Sequence, residues 1–303
     1  MITMAQRLKM LECPAGVIDL VLDTDAYNEI DDQFAISYAI KATEKLNLKA
    51  LYAAPFLNQK SISPSDGMEK SYQEILKLLD LCKANVPTYK GSTDYLPDEF
   101  TAIDSPAARD LVKRANDYSS EHPLYVLAIG AITNVASALL LDPNIADRIV
   151  IVWLGGHALE WHDNAEFNMR QDVAAARVVF GSGAPLVILP CMGVVSSFTT
   201  TEGEMNHWIK GRNELCDYLA NNTISEANQY ARGRVWSRVL WDVTTVGWLL
   251  NDDNRFMREK LIPTPIPEYD HHYASSPERP LCKYVYFIHR DALLGDLFEK
   301  LLQ

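Results

Sequence analysis

The sequence predicts an α/β fold in a single domain, with a mostly parallel open sheet flanked by helices. Three observations carry that prediction. Short apolar runs of strand length alternate with stretches of helical period up to about residue 190. Polar or acidic residues gather directly after several of these runs, at the strand ends where open α/β sheets bind ligands. No repeat, low-complexity tract or linker divides the 303 residues, and 48% hydrophobic composition suffices for one substantial core.

The first run, Val17 to Leu22, reads as a buried strand and leads through an acidic turn into a helix from about Asp32 to Leu46. Leu48 to Pro55 is a second strand, whose C-terminal edge falls at Asn58. Ser63 and Pro64 are start signals for a long amphipathic helix through Leu81, with Ile75, Leu78, Leu79 and Cys82 on one stripe. A short strand follows at Val86 to Gly91, then a polar loop from Ser92 to Asp104 and a helix from Pro106 to Tyr118. Leu124 to Ile129 is a strand, and Thr133 is a candidate cap for a helix from Asn134 to Leu141. Ile149 to Leu154, a polar and aromatic loop from His157 to Asn168, a helix from Asp172 to Gly181 and a strand from Pro185 to Pro190 complete the alternation. This Rossmann-like order implies right-handed crossovers. Beyond it the period is helical, at Glu202 to Asn221, Ile224 to Tyr230 and Trp241 to Leu250. Ala231 to Arg238, with three arginines and a tryptophan, is a candidate lid. Ile262 to Pro267 reads as extended, Lys283 to Ile288 as a strand, and Asp291 to Leu302 as a closing helix.

A formal net charge of -12 disfavours a nucleic acid polymer as partner, because its phosphates would be repelled. Five scattered cysteines without a C-x-x-C pair point to reduced thiols and a cytoplasmic protein. Met1 to Glu12 has no apolar core of signal-peptide length, and no run approaches the ~18 apolar residues of a membrane span.

The turn after the first strand gathers Asp23, Asp25, Glu29, Asp31 and Asp32 into ten residues. Such crowding is relieved by protonation or by a cation, and an all-oxygen donor set selects Ca²⁺ or Mg²⁺, leaning to Ca²⁺. In the later loop, Asn164, Glu166 and Asn168 are two apart, so an extended backbone would project them from one side. Amides with a carboxylate suit a sugar diol, while the alternative is a loop bonded to itself. Asp242 opens an apolar helix and is a metal ligand or an ordinary N-cap; Trp241 is core or a π-face for a flat base. No G-x-S-x-G, P-loop or G-x-G-x-x-G occurs.

Taken together these residues resemble the inosine-uridine-preferring nucleoside hydrolases. The resemblance rests on Asp23-Thr-Asp25 with Ile30-Asp-Asp32, Asn58, Ile129 to Asn134, Leu154-Gly-Gly156, Ala165-Glu-Phe-Asn168 with Asp172, and Trp241-Asp242, in order from about residue 17 to 250. It implies a hydrolase that cuts the N-glycosidic bond of ribonucleosides, with Ca²⁺ held by Asp25, Asp32, the Ile129 carbonyl and Asp242. Asp25 would be the general base; Asp31, Asn58, Glu166 and Asn168 would grip the ribose, and Asp23 would stand behind them. A homodimer or homotetramer is expected on the same ground, and the helical C-terminal part would form one side of the site. The chain departs from the family pattern in three places. Five residues rather than three separate Asp25 from Asp31, adding Tyr27, Asn28 and Glu29. The loop from Gly156 to Glu166 is shorter, leaving Asn164 and Glu160 as stand-ins for a missing asparagine. Trp241 replaces a leaving-group histidine, which is similar to purine-preferring members. Two rivals remain open: a Mg²⁺ phosphatase using Asp23 and Asp25, and a non-catalytic Ca²⁺-dependent sugar-binding module.

Overall fold

In the computed structural model, which describes residues 2–303, eight strands form one sheet. They are β1 (Ile18–Thr24), β2 (Leu46–Ala53), β3 (Thr88–Lys90), β4 (Leu124–Ala128), β5 (Ile149–Leu154), β6 (Leu186–Leu189), β7 (Met257–Pro263) and β8 (Leu281–Ile288). Their spatial order is β3-β2-β1-β4-β5-β6-β8-β7, parallel except for the final β8–β7 pair. The order reverses direction beside β1, so the ends of β1 and β4 open a crevice between diverging connections, where such sheets bind ligands.

Each central strand is buried on both faces, which explains why its sequence reads as a continuous apolar run. In β1, Leu20 and Leu22 enter one core and Val21 the other. In β5, Val150, Val152 and Leu154 join the first core, while Ile149, Ile151 and Trp153 join the second. The first core is covered by α2 (Asp31–Lys41), α3 (Pro64–Cys82), α8 (Glu214–Ala231), α9 (Val243–Leu249) and α10 (Arg290–Leu301). The second is covered by α4 (Pro106–Ala115), α5 (Thr133–Leu141) and α7 (Val173–Gly181). Burying one such Leu or Val contributes about 1.5–3 kcal/mol, so these strands anchor the sheet whatever their connecting loops do.

Local signals act as expected at α3, where Ser63 Oγ accepts the Asp66 N–H at 3.1 Å and Pro64 fills the first turn. Thr133 does not cap α5. Ile132 holds that position, and the Thr133 hydroxyl instead donates to Asp172 at 2.7 Å. A tertiary acceptor outcompetes the local one. Among the elements not foreseen are α1 (Met4–Met10), α6 (Phe167–Gln171) and the edge strand β7. Helix α1 has a Thr3/Gln6 capping box but only seven residues, too few to display a helical period. The expected helix from Glu202 to Asn221 breaks at Lys210 to Asn213, and α8 then runs unbroken past Asn222. The candidate lid begins with Arg232 and Gly233 at positive φ and ends in the two-residue strand Arg238–Val239, paired with Thr199–Thr200. All five cysteines are free thiols, and no helix among the described residues is long and apolar enough to cross a membrane.

Candidate active site

A cavity of about 230 Å³ opens at the C-terminal ends of β1, β4 and β5. Its acidic wall comes from the β1–α2 turn: Asp25, Glu29, and Asp31 and Asp32 in the first turn of α2. Asp242 closes it from the C-terminal part, together with Trp241. Asp242 occupies the N-cap position of α9 yet makes no side-chain capping bond. Its carboxylate faces inward instead, where one oxygen each from Asp31, Asp32 and Asp242 lie within 4.8 Å of one another. The Asp242 N–H also donates to Asp31 at 3.3 Å, which ties the two walls together across the chain.

All four aspartates are buried. Burial, followed by mutual repulsion, holds the carboxyl groups of Asp25, Asp31 and Asp242 well above the usual carboxylate range. Asp32 is pushed up to about 7 by burial, opposed by the hydrogen bond it accepts from the Thr24 hydroxyl. Both oxygens of Asp25 are buried without any hydrogen-bond partner. Nature rarely leaves a buried carboxylate bare, and a hard cation with water is the group that satisfies four such acids at once. The donor set therefore fits a divalent, oxygen-preferring ion.

Asp23 lies outside the cavity. Its Oδ1 accepts from the Asn134 amide at 2.7 Å, and burial raises it to about 7. A phosphatase that attacks through Asp23 has no access to substrate here.

The three side chains spaced two apart, Asn164, Glu166 and Asn168, share a target, but it is the backbone beyond β5 rather than open space. Asn164 Oδ1 accepts the His157 N–H at 2.8 Å, Glu166 accepts the Gly156 N–H at 2.9 Å, and the Asn168 amide donates to the Leu154 carbonyl at 3.1 Å. The extended run stops at Glu166, which caps α6 through the N–H groups of Asn168 and Met169, so Asn168 already lies in that helix. Gly156 makes this clasp possible: its φ is +74°, and a Cβ would sit 2.2 Å from the Tyr273 hydroxyl. Glu166 and Asn168 still line the cavity, and the Asn168 amide also donates to the Ile129 carbonyl at 3.2 Å, fixing its direction. Burial raises Glu166 despite its three backbone donors.

Two expected site residues are not brought to the cavity lining. Asn164 is spent on the His157 backbone, and Asn58 stands behind Asn28, to whose Oδ1 its amide donates at 2.6 Å. Glu160 is exposed and also outside. For Asn58, the extra turn residues stand in the way. Asn28 lines the cavity in front of Asn58, and Glu29 pairs with Arg238 at 3.0 Å, bridging the acidic turn to the candidate lid. Sequence reasoning assigned no site role to Asn28, His157, Phe167, Cys191 or Met192, which line the cavity. Asn28 in the lengthened turn, His157 in the polar and aromatic loop and Phe167 in the Glu-Phe-Asn element carried a signal; Cys191 and Met192 carried none.

A profile of the family described as inosine-uridine preferring nucleoside hydrolase matches residues 20–274. The chain belongs to that family. A pyrimidine-specific ribonucleoside hydrolase of Escherichia coli is 25% identical over 260 residues, covering 77% of this chain and 79% of the relative. Among solved structures, a plant nucleoside hydrolase superposes with TM-score 0.76 at 19% identity, covering 95% of this chain and 99% of its own. A purine-preferring ribonucleoside hydrolase from Gardnerella vaginalis gives 0.76 at 22%, covering 94% and 98%. The mostly parallel sheet of this nucleoside hydrolase is thus the scaffold it shares with these solved structures. The reaction class is hydrolysis of a ribonucleoside.

Proposed function

We propose that this nucleoside hydrolase uses Asp25 as general base toward an attacking water and leans toward purine nucleosides. The bare, buried Asp25 carboxylate beside three further acids carries the reading. Asp25, Asp32, Asp242 and the Ile129 carbonyl would hold Ca²⁺, which when bound supplies Lewis acidity that makes water a nucleophile near neutral pH. Asp25 takes the proton of the water as its oxygen attacks the anomeric carbon. Departure of the base leaves positive charge on the ribose ring, and the dense negative charge of Asp25, Asp31, Asp32 and Asp242 favours that state over the neutral substrate. Asp31, Glu166 and Asn168 are the cavity groups suited to the ribose hydroxyls.

The purine leaning is supported by Trp241, whose indole lines the cavity with Phe167, Met192 and Leu154 and offers a flat face to a bicyclic base. The relatives' names point both ways, to pyrimidines in the Escherichia coli enzyme and to purines in that of Gardnerella vaginalis. A homodimer or homotetramer belongs to the same proposal. Turnover of inosine, adenosine, guanosine, uridine and cytidine, with and without chelation, is the test. Hydrolysis that survives complete chelation, or uridine turned over faster than inosine, overturns the corresponding half.

A further inference from the structure

His157 leaves the end of β5 as the first residue after Gly156, and both its backbone and its ring are held. Its N–H donates to Asn164 at 2.8 Å, and the Met192 N–H donates to imidazole Nδ1 at 3.3 Å. Ala158 N–H returns to the Met192 carbonyl at 2.9 Å, so the ring sits in a short ladder between two segments. Its side chain is 13% exposed and lines the same cavity as Asp25 and Trp241. Because Nδ1 accepts a backbone N–H, the proton of the neutral ring resides on Nε2. Nε2 is 4.0 Å from Asp163, beyond hydrogen-bonding distance, and makes no hydrogen bond among the described residues.

Apart from the Asn28 amide and the Trp241 indole N–H, the other cavity groups leave this donor little competition. The Asn168 amide is committed to two carbonyls, the acids accept rather than donate when ionised, and burial pushes the Cys191 thiol well up. When the C1′–N bond breaks, its electron pair goes to the base, and negative charge builds on the base's nitrogens and carbonyl oxygens. An oriented N–H aimed at such charge lowers the barrier without reorganising. A neutral imidazole performs this task in triosephosphate isomerase.

We propose that His157 is the base-side catalytic residue of this site, a neutral imidazole whose Nε2–H donates a hydrogen bond to an acceptor atom of the leaving base. The proton stays on His157 throughout; the base takes its final proton from water, and the water attacking C1′ gives its own to Asp25. Burial favours the neutral ring, opposed by Asp163 and assisted by His162. The inference rests on the hydrolase reading and goes beyond it in assigning the group that meets the base.

The test compares inosine with 4-nitrophenyl β-D-ribofuranoside, whose phenolate leaves without such help. His157→Phe keeps the ring and removes the donor; His157→Gln returns an N–H at about the position of Nε2. The expected result for His157→Phe is a fall of about 100-fold in kcat/KM for inosine and under about threefold for the nitrophenyl riboside, with His157→Gln recovering about tenfold on inosine. Equal losses on both substrates reveal a merely structural residue, and unchanged inosine turnover reveals a bystander; either overturns the proposal. A wild-type chain inert toward both substrates overturns the hydrolase reading and this inference with it, whereas an active wild type with equal losses overturns this inference alone.

Discussion

The acidic cavity predicts a substitution whose effect on stability changes sign with the cation. Asp32 is fully buried, and its carboxyl stands at about 7 against 3.8 in the unfolded chain. A folded value above the unfolded one means that stability is intact below about pH 4 and lost as pH rises through about 7. Three pKa units at 1.36 kcal/mol each amount to about 4 kcal/mol. Asp32→Asn keeps an acceptor for the Thr24 hydroxyl and removes the charge. In chelator at pH 8 the variant should therefore be more stable than the parent by up to about 4 kcal/mol, about 6 °C in Tm for a chain of this length. The advantage should shrink toward zero as pH falls to about 4. With cation in about ten-thousandfold excess over the parent's dissociation constant and bound far more weakly by the variant, the parent gains about 5.5 kcal/mol and the order reverses. Urea unfolding at pH 8 and pH 4, with and without Ca²⁺, measures all of this. A variant less stable than the parent in chelator at pH 8 would refute the reasoning, since Asp32 would then be stabilised by its protein partners alone.

Three further outcomes are expected. Asp25→Asn should lower turnover by about 10²–10⁴-fold while leaving a Ca²⁺-dependent rise in Tm, because Asp32 and Asp242 remain; loss of that rise without loss of activity would reverse the assigned roles. Trp241→Ala should cut kcat/KM for inosine more than about tenfold, a stacked ring being worth 0.5–1.5 kcal/mol beyond its buried area, and parity with the parent would remove the support for a purine leaning. Gly156→Ala forces a Cβ to 2.2 Å from the Tyr273 hydroxyl at positive φ, at a cost of about 1–3 kcal/mol. Tyr273→Phe in the same chain should return part of it, as read by urea unfolding.

The resemblance to the hydrolase family was carried by local strings, and it survives in the cavity: Asp25, Asp31, Asp32, Ile129, Glu166, Asn168, Trp241 and Asp242 all line it. Asn58 and Asn164 match by position in the chain but do not line the cavity. The two-residue lengthening of the acidic turn sets Asn28 between Asn58 and the cavity, and the shortened loop turns Asn164 onto its own backbone. Spacing along a strand end reports which residues approach a site; it cannot report which of them another side chain intercepts.

What the sequence determined by itself follows from short-range physics. Runs such as Val21 to Leu22 and Ile149 to Leu154 are apolar on both faces, so only a sheet covered twice accommodates them, and the acids after β1 fall at its open edge by covalent connection. Tertiary structure alone decided the rest. Strand β7 was hidden because its charged, exposed residues follow no apolar alternation and it exists by pairing with β8. Asp242 meets Asp31 across 211 positions of chain, and the Met192 N–H that selects the His157 tautomer comes from 35 residues away. Such encounters cost loop entropy that no local pattern records, and they form only because the burial of two shared cores outweighs it.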